Sequence, residues 1–204
     1  MIDLRDVLIP PDSAKTDIIY NVGLSVSPFT GGQQAVELPG ARWRLNFAYT
    51  NLDLKVYGQP LKAIKAMMRG GSVVALIRDL SYLPRWGTEP GAPFVNGANQ
   101  SGIVLNTGGW NAGTKFQMGD QISYLSVDGL TRMHIITEPA IANGSGVAFL
   151  KILPPIRNPP VDASPLNTVN PSVSVTMQEG GEVSANGQLC SSTLVFVEAL
   201  YELS

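Results

Sequence analysis

Leu38-Pro39-Gly40-Ala41-Arg42-Trp43-Arg44-Leu45-Asn46-Phe47-Ala48-Tyr49 is the most sharply patterned run in the chain. From Arg42 onward it alternates, with Trp43, Leu45, Phe47 and Tyr49 on one side and Arg42, Arg44, Asn46 and Ala48 on the other. A repeat of two is the signature of a strand with one buried face. The aromatic side must pack, and the arginine side must meet water, another subunit or a polar partner. Pro39-Gly40 just before it reads as a turn, because proline fixes φ and glycine accepts the positive φ of a type II turn. The expectation is a sharp corner feeding a long aromatic strand.

Around this strand the chain is short of charge. Of 204 residues 15% are charged, with 21 glycines and 15 prolines, against about 25% charged in a typical domain. Many short elements joined by turns fit that composition, so the fold class is mainly β. The length suffices for one substantial core, with room for a small inserted unit. A formal net charge of −2 gives no basic footprint for autonomous nucleic-acid binding. Low charge also means that much of the surface is neutral polar or covered by neighbours; assembly is the preferred reading, and a monomeric domain also fits the charge. Cys190 is the single cysteine, which excludes an intrachain disulfide and a cysteine-rich metal site. Residues 1–15 lack a basic stretch followed by an apolar run, so no signal peptide is expected. No apolar run approaches the roughly 20 residues that span a bilayer, and no membrane insertion is expected.

Residues 1–17, broken by Pro10-Pro11, read as an N-terminal extension or arm. Asp17–Ser27 is β-rich and ends at Pro28 and Gly31-Gly32, and Gln33–Leu38 is extended again. After Tyr49 the period lengthens: Leu61, Ile64 and Met67 or Met68 recur at helical spacing, after Pro60 and before Gly70-Gly71. That predicts one short α-helix over about 59–69, with its methionines as core filler. The apolar run in Ser72–Asp79 predicts a strand buried on both faces. Leu80–Pro93 is a loop in which Arg85 and Trp86, with Trp110 further on, are candidates for a contact surface; Trp86 folded back over the core edge is the alternative. From Phe94 to Pro155 turn dipeptides recur at the spacing of small sandwiches or barrels. Pro154-Pro155 and Pro159-Pro160 mark a boundary within Leu153–Leu166. Alternation at Val173, Val175 and Met177, and a last strand over Ser192–Leu200, return the chain to the first sheet.

Chemistry is sparse. His134, the only histidine, lies in the strand-like Met133-His134-Ile135-Ile136, and no Gly-x-Ser-x-Gly elbow exists, so it reads as sheet lining and not as a triad base. One histidine and one cysteine fall short of the three protein ligands a catalytic zinc site takes. Asp79, Asp120 and Asp128 could form a carboxylate site, but Asp120 and Asp128 lie in turn dipeptides where aspartate serves its own backbone. Phosphate-cradling glycine motifs are missing from the sequence. Asn99-Gln100-Ser101 and Asn143-Gly144-Ser145 match a glycosylation acceptor, which means nothing without a secretory signal. The reading is a non-enzyme without cofactor, metal or catalytic residues.

The run Ser27-Pro-Phe-Thr-Gly-Gly-Gln-Gln-Ala-Val-Glu-Leu-Pro-Gly-Ala-Arg-Trp-Arg-Leu-Asn-Phe47 resembles the opening signature of the distal-tail, or tail-tip, proteins of long-tailed bacteriophages. The order of later motifs is similar too: a short helix, an apolar strand, Val95-Asn-Gly-Ala-Asn-Gln-Ser-Gly102, Thr107-Gly-Gly-Trp110 with Gly119-Asp120 behind it, Pro154-Pro-Ile-Arg157, and Ser192-Thr-Leu-Val-Phe-Val-Glu198. The likeness runs from about Ile18 onward; residues 1–17 have no counterpart in it and Ser81–Gly87 departs from it. It implies a β-sandwich hub (18–93 and 156–204) with an inserted small β-domain (94–155). It further implies a homohexameric ring in the virion, at the tail tip, assembled in the host cytoplasm. The expected partners are other copies of the chain, the tail tube protein and tail-tip or baseplate hub proteins, with DNA passing through without specific binding. Arg42, Arg44 and Asn46 are then candidates for the assembly interface. A host-surface or carbohydrate-binding tail module, contacting through Trp86 and Trp110, is the alternative.

Overall fold

The computed structural model describes residues 1–200; residues 201–204, the end of the expected hub, lie outside them. The chain is mainly β. In order it forms β1 (Ile2–Asp3), β2 (Ser13–Val26), β3 (Gln33–Asp53), α1 (Gln59–Met68), β4 (Ala75–Arg78), β5 (Gly91–Val95), β6 (Gly102–Trp110), β7 (Lys115–Phe116), β8 (Gln121–Leu125), β9 (Thr131–Ile136), β10 (Ala140–Ile141), β11 (Ala148–Ile156), β12 (Ser172–Gly180), β13 (Ser184–Asn186) and β14 (Leu189–Glu198).

One sheet makes the hub, in the order β1-β4-β12-β14-β3-β2, with β13 folded back on β14. Strand β3, between β14 and the edge strand β2, carries the aromatic stretch Trp43–Tyr49. Trp43, Leu45, Phe47 and Tyr49 are all buried in the hub core, where Phe47 meets Phe196 of β14 at 6.1 Å between ring centroids. The layer over this face is composite. Helix α1 contributes Leu61, Ile64 and Met68, the leader Leu4 and Leu8, and β9 Met133. Of the two methionines with helical spacing, Met68 packs and Met67 faces out. The Asp53 carboxylate starts the helical segment by accepting from the Lys55 and Val56 amides at 2.8 and 3.1 Å, as an N-cap does.

Three sequence expectations change. Pro39-Gly40 is not a corner: β3 runs straight through it, and the pairing with β2 passes from Ile19↔Arg42 to Asn21↔Leu38. Pro39, Gly40 and Ala41 therefore oppose Tyr20 alone. This is a bulge, with Gly40 at φ +120, and it persists because β2 continues opposite on both sides. Residues 1–17 are not a free arm either. Ile2 and Asp3 pair parallel to β4, Leu4 and Leu8 are buried, and Ser13–Asp17 pair with β3; apolar burial outweighs the local break made by the two prolines.

The third change concerns the inserted unit, which leaves after β4 and returns at β12. Arg78 and Ser172 are partners across those strands, so its two ends lie side by side, as an insertion into a sheet requires. Its five-stranded sheet runs β5-β6-β11-β9-β8, with β7 and β10 as a separate pair, over a core that includes Trp110, Phe116, Ile122 and Leu150. Strand β5 begins at Gly91. The segment following β11, expected with the hub, caps the insertion: the Val95 amide donates to the Ser164 carbonyl at 2.9 Å and Ser123 and Asn167 exchange backbone bonds at 2.9 Å. Backbone groups left free at a sheet edge must find partners, and this segment supplies them. Strand β9 is the wall between the two cores, with Met133 facing the hub and Ile136 the insertion.

Candidate functional site

Arg42, Arg44 and Asn46 lie on the face of β3 opposite the core. Arg44 is exposed and its guanidinium is 3.3 Å from Asp17, its direct partner on β2. That exposed pair is worth about 0–1 kcal/mol. Arg42 stands opposite Ile19 and Asn46 opposite Lys15, both half-buried. The arginine already has an acid on its own chain, so this face is less of an unpaired cationic patch than the sequence suggests.

The contact-loop residues are not brought together as a free surface. Trp110 is buried, donates through Nε1 to the Thr107 hydroxyl at 2.7 Å, and packs edge-on against Phe116 at 4.8 Å. Trp86 also meets Phe116, at 5.8 Å, and Arg85 lies over the Trp86 ring at 6.0 Å. Arg85 forks onto the buried Asp120 carboxylate, with Nη2 3.0 Å from Oδ1 and Nε 3.1 Å from Oδ2, and Nη2 donates to Gln117 at 2.6 Å. The loop is thus clamped to the insertion, and Trp86 folds back over the core edge. A bidentate pair onto a buried acid fixes geometry better than a point charge would.

His134, Arg132, Tyr124 and Glu198 form a buried polar junction between hub and insertion. Arg132 holds Asp128 at 2.5 Å and Glu198 at 3.0 Å and donates to the Ala199 carbonyl. The second oxygen of Glu198 accepts from the Trp43 amide at 3.1 Å, and Trp43 Nε1 donates to the Met133 carbonyl at 2.6 Å. His134 stacks on Tyr124 at 5.1 Å, and its Nδ1 lies 2.7 Å from the Pro154 carbonyl. A carbonyl only accepts, so Nδ1 carries the proton and Nε2 is bare. Burial, with Arg132 and Arg157 nearby, pushes the His134 pKa down to about 4. The same burial raises Glu198 and lifts the Tyr124 phenol well above its usual range. The imidazole is thus neutral, its proton facing a backbone carbonyl and its Nε2 shut inside the junction. Asp79 is likewise spent, accepting from Thr16, Ser81 and Gln121 at 2.6 to 2.8 Å. Among the described residues no group of three or more His, Cys, Asp or Glu side chains is arranged to hold a metal, and no helix is long and apolar enough to cross a membrane.

Sequence reasoning missed the largest feature. Beyond the bulge, the distal halves of β2 and β3 leave the hub as a two-stranded ribbon, closed by a turn in which the Ser27 amide donates to the Gly32 carbonyl at 2.9 Å. Nearly every residue from Tyr20 to Pro39 is exposed. Cross-strand partners share a face, so Tyr20, Val22, Leu24 and Val26 line one side together with Ala35. Leu24 is 70% exposed and Phe29, at the tip, 96%. The signal was legible: from Ile18 to Ala41 the sequence holds a single charged residue, Glu37. At the base of the ribbon a groove of about 350 Å³ is lined by Glu37–Ala41 and Pro155–Arg157. In comparisons with known proteins, no family model matches this chain and no curated protein matches it significantly.

Proposed function

We propose that this chain is a structural virion subunit, a distal tail protein of a long-tailed bacteriophage. In this reading copies assemble as a ring, hexameric as the sequence resemblance implies, that joins the tail tube to the tail tip or baseplate and lets DNA pass. The observation that carries the assembly part is the exposed ribbon Tyr20–Leu38. Two strands alone are marginal in water, and solvent-facing sheet edges are normally protected by lysines, prolines or coverage. This ribbon carries one acid and a row of apolar side chains, a composition suited to burial against a partner. The tail setting rests on the resemblance of the Ser27–Phe47 signature and the motifs behind it.

Two further observations support an assembly role over a chemical one. The charges of the junction around His134 and of the Asp79 network are held by internal partners that tie hub to insertion. A carbohydrate platform built on Trp86 and Trp110 loses one of its two contacts, because Trp110 is 4% exposed. Arg42, Arg44 and Asn46 remain the polar rim of the proposed interface, with Arg42→Glu and Arg44→Glu together as its test. The deciding measurement is the native mass of the purified chain, with particle images. A closed ring of six is expected; a monomer at tens of micromolar would overturn the ring.

A further inference from the structure

The ribbon presents a knob and its base presents a hole. Phe29 is the most exposed large apolar residue described, 96% accessible at the ribbon's tip. The groove at the base is walled by Leu38, Pro39, Ala41, Pro155 and Ile156, and encloses about 350 Å³. An aromatic ring buries about 150–250 Å² when it seats in an apolar site, and this groove has room for one. Phe29 cannot reach its own groove. The paired strands between them hold it roughly 20–25 Å away at about 3.4 Å per residue.

From these observations we infer that Phe29 seats in the groove at the base of the ribbon of the next copy of this chain. The inference rests on the ring reading and gives that ring its subunit contact. A second copy is the occupant because knob and hole are both apolar and both belong to this chain. The Arg157 guanidinium that borders the groove is engaged internally, donating to the Ala41 carbonyl. The ribbon of Tyr20–Leu38, about 19 residues, approaches by itself the 20–30 residues that one side of a specific interface supplies. Its reach is comparable to a body whose radius of gyration is roughly 17 Å for this chain length, so the tip of one copy lies over the surface of its neighbour. Knob and hole occupy different surfaces, so each contact leaves one of each free, and the assembly grows head to tail until rotation closes it.

The test pairs a cysteine at the knob with one at the hole, Phe29→Cys with Leu38→Cys, alongside Phe29→Asp. Under mild oxidation the double cysteine variant should give a ladder of covalent species up to the ring on a non-reducing gel, and Leu38→Cys alone should give none. Phe29→Asp should keep the wild-type circular dichroism, since the side chain touches little of its own chain, yet need at least tenfold more protein to assemble. If wild-type rings form but Phe29→Asp assembles at the same concentration and the cysteine pair gives no ladder, the ribbon docks elsewhere and the ring reading stands. A monomeric wild type, as expected were the ribbon's partner a different protein, would overturn both.

Discussion

Acidification should loosen the junction between hub and insertion through His134. The imidazole is buried, its pKa held down to about 4 from an ordinary 6.5. Above pH 6.5 it is neutral in both folded and unfolded chains, and its contribution to stability is fully present. Below that the unfolded chain takes up the proton and the folded chain does not, so stability falls until pH 4, where the folded chain protonates too. The shift corresponds to about 3 kcal/mol over the whole window, of which about 2 kcal/mol is lost by pH 5. Physically, a proton on Nε2 would place a third cation beside Arg132 and Arg157, with Tyr124 and the Pro154 carbonyl as the other neighbours. Two acids face the same space. Asp128 is held below the usual carboxylate range despite partial burial, because Ser126, Arg132 and Asn158 bond it, so it titrates below the window. Glu198 is raised by burial; the folded chain protonates it earlier than the unfolded one, which offsets part of the loss. Urea unfolding of the wild type and His134→Gln at pH 7.5 and pH 5, at equal protein concentration, measures the difference. The wild-type midpoint should fall by about 1 M for a slope near 2 kcal/mol per molar, while the variant, less stable at pH 7.5, should change much less. Parallel falls in the two proteins would refute the assignment.

Three further outcomes follow from the same geometry. Arg132→Met leaves Glu198, 5% exposed, without its cation, which should cost about 3–5 kcal/mol, and adding Glu198→Gln should recover part of it in urea unfolding. Gly180→Ala places a Cβ 1.9 Å from the Thr193 carbonyl at a φ of +88, so the variant should melt several degrees lower, since strain of this kind costs about 1–3 kcal/mol. Arg85→Ala removes the fork onto Asp120 and should release the loop over 80–90, read as faster proteolytic cleavage near the exposed Leu83, with the hub left intact.

Local chemistry made the elements legible. Alternation from Arg42 to Tyr49 predicted a strand with an aromatic core face, and Trp43, Leu45, Phe47 and Tyr49 are buried in that pattern. Helical spacing at Leu61, Ile64 and Met67 or Met68, bracketed by Pro60 and Gly70, located α1 within one residue of its bounds. These readings succeed because side-chain direction along a strand or helix is set by the backbone period itself. Turn dipeptides such as Asp128-Gly129 separate strands of the insertion through their own backbone preference, whereas Gly108-Gly109, with the same chemistry, lies inside β6. The sequence leaves Trp86 between surface and core, since one aromatic in a loop carries no period.

Other features depend on which distant segment lies opposite, and that is a property of the folded chain. Pro39-Gly40 has the chemistry of a corner, but a strand of fourteen residues, β2, pairs across it and makes it a bulge. Arg44 carries a charge whose partner, Asp17, is set by register. Leu4 and Leu8 are buried because β1 lies beside β4, a strand more than seventy residues later. His134 reads from sequence as sheet lining, but its neutral state is set only when Pro154, Arg132 and Arg157 converge on it. Local patterning was enough for a mainly β chain built on an aromatic strand. Long-range pairing determined that the ribbon leaving that strand, Tyr20 to Pro39, has no covering layer among the described residues.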